Sequence, residues 1–146
     1  MSAERAKMSS GIGLATDFLA AYGWMKNDTD DTNFVLGSFG NNVVDKVSSG
    51  SSIDELLASL NDDNVYFGCF GALVESQPKF FTISIYGENV NGMKKGKASM
   101  AKSGVLNLFE IAHGEISFGD GVGEVSRDTI IQKIKDVCKQ SNVELR

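Results

Sequence analysis

Hydrophobic and polar positions along this chain switch between a period of two and a period near 3.6, and the switches mark its elements. Leu14, Phe18, Ala21, Tyr22 and Met25 recur at helical spacing and predict a helix over 11–26. The turn formers of NDTDDTN (27–33) end it. FVLGSF (34–39) and VVDKV (43–47) flank the tight turn Gly40-Asn41-Asn42 and predict a hairpin. Ser52 with Glu55 three positions on is a helix-starting pattern, and Ile53, Leu56, Leu57 and Leu60 supply the buried face of a short helix. NVYFGCFGALV (64–74) is apolar on both faces, as an interior strand is. ESQPK (75–79) is a turn, and FFTISIYGEN (80–89) alternates as the next strand. The period then lengthens. Ala98, Ala101, Val105, Leu108, Phe109 and Ala112 form one stripe of a long helix, about 92–112. GEISF (114–118) is a short strand and GDGVGEV a turn. Ser126 caps a last helix whose core positions are Ile130, Ile131, Ile134, Val137 and Cys138.

The predicted order is α-β-β-α-β-β-α-β-α. It implies an α/β or α+β layered domain: a central mixed, mostly antiparallel sheet of five to six strands, flanked by helices. With 146 residues and no linker or repeat, the expectation is a single domain over 1–146, with residues 1–10 flexible.

Composition narrows the function. Hydrophobic residues at 42% and charged residues at 23% are ordinary globular values, so disorder beyond the N-terminus is not expected. No run of about 18 apolar residues spans a membrane, and MSAERAKMSSGIG lacks the apolar stretch of a secretory signal. Cys69 and Cys138 sit within apolar patterns and are expected as buried thiols of a cytosolic protein. His113 is the sole histidine, too few ligands for a zinc site; placed at the end of the long helix, it would cap the helix carbonyls.

Charge is unevenly spread. The net charge is −5, yet segment 79–109 holds Lys79, Lys94, Lys95, Lys97 and Lys102 against Glu88 alone, so it carries +4 and the remainder −9. An acidic remainder argues against nucleic acid, which wants a broad basic face. A small basic patch suits an acidic protein surface or a phosphoinositide headgroup. With the apolar stripe of the long helix turned inward, Lys95 and Lys102 fall on one flank and Lys97 on the other. Ser99, Met100, Ser103, Gly104, Leu106 and Asn107 then point away from the core. A solvated helix face is normally charged at i, i+4. This one is small, neutral and poor in helix propensity, which suits close approach by a partner protein: Met adapts its shape and rim lysines steer.

At these residues the chain resembles a known family. KFFTISIYGENVNGMKKGKASMAKSGVLNLF is similar to the segment running through the penultimate long strand and the long helix of the actin-depolymerising-factor homology family, its coactosin branch above all. The order of elements agrees over about 11–140, and AAY (20–22) before an acidic turn resembles the family's first helix. The resemblance implies an actin-binding module with no catalysis and no cofactor, monomeric, cytoplasmic and associated with the cytoskeleton. It implies filaments favoured over monomeric actin, with monomer binding left open. Lys95, Lys97 and Lys102 match the basic positions of the family's long helix, Lys79 a basic position at the strand start used for filaments, and Met93 an apolar position at the turn into the helix. Lys94 and Met100 complete the candidate actin-binding set. Two departures bear on it: ALVESQPK is shorter and less basic than coactosin loops, with Glu75 where positive charge is expected, and the match of Lys133, Lys135 and Lys139 is unassigned. Ser2, Ser9 and Ser10 are similar to the family's phosphorylatable N-terminus. The rival expectation is a phosphoinositide-regulated, cofilin-like protein that also binds monomeric actin.

Other signals fall away. Counted from Asp28, NDTDDTN puts Asn33 and Phe39 where a calcium loop needs Gly and Glu. GDGVG (119–123) lacks the lysine and serine of a phosphate loop. No serine or cysteine has an evident base, so no catalytic constellation is expected. Trp24, beside Met25 on the first helix, is expected at the edge of the core.

Overall fold

The computed structural model describes residues 5–7, 13–15, 22–23, 32–40 and 43–145. The elements run β1 (Arg5–Lys7), β2 (Gly13–Ala15), β3 (Phe34–Gly40), β4 (Val43–Gly50), α1 (Ile53–Ala58), β5 (Val65–Val74), β6 (Gln77–Tyr86), α2 (Gly92–Leu106), β7 (Ala112–Phe118), a 3-10 turn (Val122–Glu124), α3 (Arg127–Cys138) and β8 (Val143–Leu145). The sheet order is β1-β2-β4-β3-β5-β6-β7, with β8 paired to β5. β3 to β7 are the five long strands that alternation predicts; β1, β2 and β8 are three-residue additions.

Pairing is antiparallel between β4 and β3, β3 and β5, and β5 and β6. It turns parallel between β6 and β7, because α2 carries the chain back across the sheet before β7 begins. Every residue of β5 but Leu73 is buried, as its doubly apolar sequence requires. The β5–β6 hairpin closes on Glu75 and Ser76 alone, both in the left-handed region (φ 49° and 67°), the twist that a two-residue hairpin turn needs.

Alternation divides the core into two layers. One lies between the sheet and α2: Val35, Phe39, Val65, Phe67 and Cys69 meet Ala98, Ala101, Val105 and Phe109, with Tyr22 set edge-on to Phe109 at 4.7 Å between centroids. The other lies against α1 and α3: Phe34, Leu36, Phe70, Phe81 and Ile83 meet Ile53, Leu56, Ile130 and Ile134. Each fully buried side chain of this kind contributes roughly 1.5–3 kcal/mol by leaving water. Ser126 caps α3 through Thr129, whose hydroxyl answers with a bond to the Ser126 backbone.

Several expectations need correction. Residues 13–15 are strand, paired parallel to Val43 and Val44, within the span predicted as helix. Glycines at 11 and 13 weaken that helix, and a sheet edge offers the backbone partners instead. Tyr22 and Gly23 are helical; Trp24 and most of NDTDDTN lie outside the described residues. α2 ends at Leu106, not near 112. Asn107 closes it, and the apolar stripe continues through tight turns (Leu108 N–H to Val105 O, Phe109 N–H to Leu106 O) so that Ala112 can pair with Phe80. Leu106 is therefore buried, not outward. The ESQPK turn shrinks to two residues, since β6 already begins at Gln77. His113 belongs to a strand, where its Nδ1 accepts the Phe80 N–H at 3.3 Å beside a break in the β6–β7 register, so it caps no helix. Ser52 caps α1 by accepting the Asp54 N–H. Val137 is exposed and Cys138 half-buried, because α3 meets the sheet mainly through Ile130 and Ile134.

Candidate functional site: the outward face of α2

The turn Gly87–Asn91 delivers the chain from β6 into α2. Val90 is buried there, and Asn91 caps the helix by accepting the Lys94 N–H at 2.8 Å. The turn is fastened from outside. Asp62 Oδ1 accepts the Glu88 N–H at 3.0 Å and the Val122 N–H at 2.8 Å, while its carbonyl accepts the Asn89 N–H at 2.9 Å. Gly121, φ +110°, admits this arrangement; a Cβ there would lie 3.2 Å from Asp62 Oδ1 in a backbone region that side chains avoid. Sequence reasoning missed Asp62, since nothing local marks a partner 60 positions away.

With Ala98, Ala101 and Val105 inward, the opposite side of α2 presents Met93, Gly96, Met100, Ser103 and Asn107, while the exposed Ser99 lies toward the flank, its hydroxyl 3.4 Å from Tyr86 Oη. Met93 is 74% and Met100 86% exposed, the most exposed large apolar side chains among the described residues. Seven positions apart, they stand about 10.5 Å along the axis from each other, with the bare backbone of Gly96 between them. Lys94 and Lys95 are half-buried, Lys97 is exposed, and none of the three forms an ion pair among the described residues. The first turn of α2 carries no acidic residue. Lysines at that end oppose the helix dipole, so they do nothing for the helix itself.

The two remaining candidates stand apart. Lys102 is committed: its Nζ lies 3.1 Å from Glu115 Oε2 on β7. Glu115 had no signal in the sequence, because the pairing depends on how α2 crosses β7. Lys79 pairs in register with Ala72, and strand alternation places it with Phe81 and Ile83 on the sheet face opposite α2. The structure thus gathers Met93, Lys94, Lys95, Lys97, Met100 and Lys102 on one helix and leaves Lys79 on the other side of the sheet.

Little else offers chemistry. Burial pushes the Cys69 thiol up, away from the reactive thiolate. Burial likewise raises the Tyr22 hydroxyl, against the opposing hydrogen bond of the Ile111 backbone. Among the described residues no group of His, Cys, Asp and Glu is placed to hold a metal, and no helix is long and apolar enough to cross a membrane.

Comparison with known proteins bears on this geometry. Human coactosin-like protein superposes with a TM-score of 0.72 at 20% identity, over 90% of this chain and 99% of that one. Coactosin from Entamoeba histolytica gives 0.73 at 23% identity, over 86% and 96%. Mouse coactosin, described as an actin filament binding protein, gives 0.68 at 20% identity, over 82% and 87%. At these identities the likeness establishes the fold. A search of curated protein sequences finds no match. The family described as cofilin/tropomyosin-type actin-binding protein matches residues 11–135, from before β2 to within α3. That match takes in β2 to β7 and α2, and the chain belongs to the cofilin/tropomyosin-type actin-binding protein family.

Proposed function

We propose that this protein is a coactosin-type binder of actin filaments, acting as a monomer in the cytoplasm on the cytoskeleton, by surface complementarity and without catalysis. The carrying observation is the pair Met93 and Met100, 74% and 86% exposed on a helix whose own fold gains nothing from them. Adaptable apolar side chains around a bare glycine suit a groove on a partner, and Lys94, Lys95 and Lys97 suit an acidic rim around it. Lys79, on the opposite sheet face, suits a second contact, of the kind a filament offers and a single actin monomer does not. Family membership and the described filament binding of mouse coactosin support the choice of partner.

One observation favours a second reading. Three lysines at a helix N-terminus, without an ion pair among the described residues, also suit an anionic headgroup, as in a phosphoinositide-regulated relative that binds monomeric actin. Co-sedimentation with actin filaments, set beside flotation with phosphoinositide vesicles, separates the two. The filament reading expects pelleting with filaments at low salt, weakening as salt rises. Failure to pellet, with retention on vesicles, overturns it.

A further inference from the structure

Lys102 Nζ and Glu115 Oε2, 3.1 Å apart, are the sole ionic link between α2 and the sheet among the described residues. The side chains are 28% and 47% exposed, so neither is fully solvated. The link lies where apolar packing gives out. α2 buries Ala98, Ala101 and Val105 against the layer containing Val65, Phe67 and Cys69 of β5. Toward β7 the sheet beneath it turns polar: the Ser84 hydroxyl donates to Ser117 Oγ at 2.9 Å, and the Thr82 hydroxyl to the Gly114 carbonyl at 3.4 Å. Leu106 closes this buried stripe at the C-terminal end, but along the middle of the helix two alanine methyls and a valine make low ridges, which index the rotation of a helix on its bed poorly. Between the buried Val90 and Leu106 at its ends, the middle of the helix is oriented by its flank: Ser99 Oγ to Tyr86 Oη at 3.4 Å, and the Lys102–Glu115 pair one turn further on.

We propose that Lys102 is a positioning residue, not an actin contact: held by Glu115, it fixes the rotation of α2 about its axis and so the direction in which Met93, Lys97 and Met100 point. A rotation of about 20° would move side chains at the helix surface by about 2 Å, enough to misalign a groove contact. The proposal rests on α2 being the face that meets actin. It carries a sign that a direct contact does not. If Lys102 touched actin, neutralising Glu115 would free a lysine, remove a repelling carboxylate and tighten binding. As a positioning pair, loss of either partner weakens binding.

The test compares the parent with Lys102→Gln, Glu115→Gln, the double variant and the exchange Lys102→Glu with Glu115→Lys. Filament co-sedimentation is read for all five, together with residual dipolar couplings of the α2 amides in the absence of actin. Each single variant is expected to lower affinity about three- to tenfold, the double to be no worse than either single, and the exchange to return within about twofold of the parent. The couplings should report a turned helix in both single variants and the parental orientation in the exchange. Tighter or unchanged binding by Glu115→Gln overturns the proposal, as does an exchange variant weaker than both singles. Couplings that stay parental in the single variants overturn it whatever the affinities do. A parent that does not bind filaments sinks the functional reading instead, and the couplings still decide how α2 is held.

Discussion

Asp62 accepts the backbone N–H of Val122 at 2.8 Å across 60 positions of sequence, tying the loop before β5 to the turn before α3. The same oxygen accepts the Glu88 N–H at 3.0 Å, so one carboxylate also sets where the turn into α2 begins. The candidate actin-facing helix is hung from a residue that is itself no part of its outward face.

That arrangement makes stability depend on acid. Hydrogen bonds from the Glu88 and Val122 amides hold the Asp62 carboxyl below its ordinary 3.8. A carboxyl depressed in the folded state binds fewer protons there than when unfolded. Its stabilising contribution is therefore present above the ordinary value and lost as pH falls from about 4 toward the depressed one. Asp62→Asn should melt below the parent at pH 7, and the gap in Tm should narrow as the pH is lowered to about 3. A gap that is constant over that range would count against the clasp.

Met93→Ala and Met100→Ala test the outward face. Both side chains are exposed, so each change should leave stability within about 0.5 kcal/mol. Binding should suffer more, by about tenfold each, if these thioethers fill a groove. Urea unfolding beside filament co-sedimentation measures the two effects on the same samples.

Lys79 and Lys97 lie on opposite faces of the sheet and share no partner. Lys79→Ala and Lys97→Ala should each weaken filament binding roughly two- to fivefold, and the double variant should lose the product of the two. Both should also flatten the decline of affinity with salt. Binding curves at two or three ionic strengths check this, and a Lys79 effect of zero would leave the filament site on α2 alone.

Ile134 is wholly buried between α3 and the sheet. Ile134→Ala should cost about 2–5 kcal/mol in urea unfolding. Per molecule still folded, filament binding should stay near the parent's, because α2 packs on the other face of the sheet.

Where burial imposes a period, the chain announced its structure. The five long strands, α1, α3 and the start of α2 lie within a few residues of where apolar spacing placed them, and Ala98, Ala101 and Val105 face the core as their 3.6 period demanded. The outward Met100 and the exposed Lys97 on the flank were legible for the same reason, since the buried side of a helix sets most of the other side, although Leu106, expected outward, is buried. The N-terminal span misled: Leu14 fits a helical stripe, yet Gly13–Ala15 pairs with β4, a long-range backbone partner that no local pattern encodes.

The sequence alone therefore determined what depends on neighbours three or four residues away: the elements from β3 to α3, most of their buried sides and the outward Met100 and Ser103 of α2. Tertiary structure alone decided what depends on which elements cross. The end of α2 at Leu106 follows from the register of β7 on β6. The separation of Lys79 from the helix lysines follows from strand alternation across a sheet. The capture of Lys102 by Glu115 and of two distant amides by Asp62 follows from loops and strands brought within 3.1 Å by folding. Hydrogen bonds and ion pairs act only at such contact distances, so their partners are chosen by the packed chain and leave no period to read.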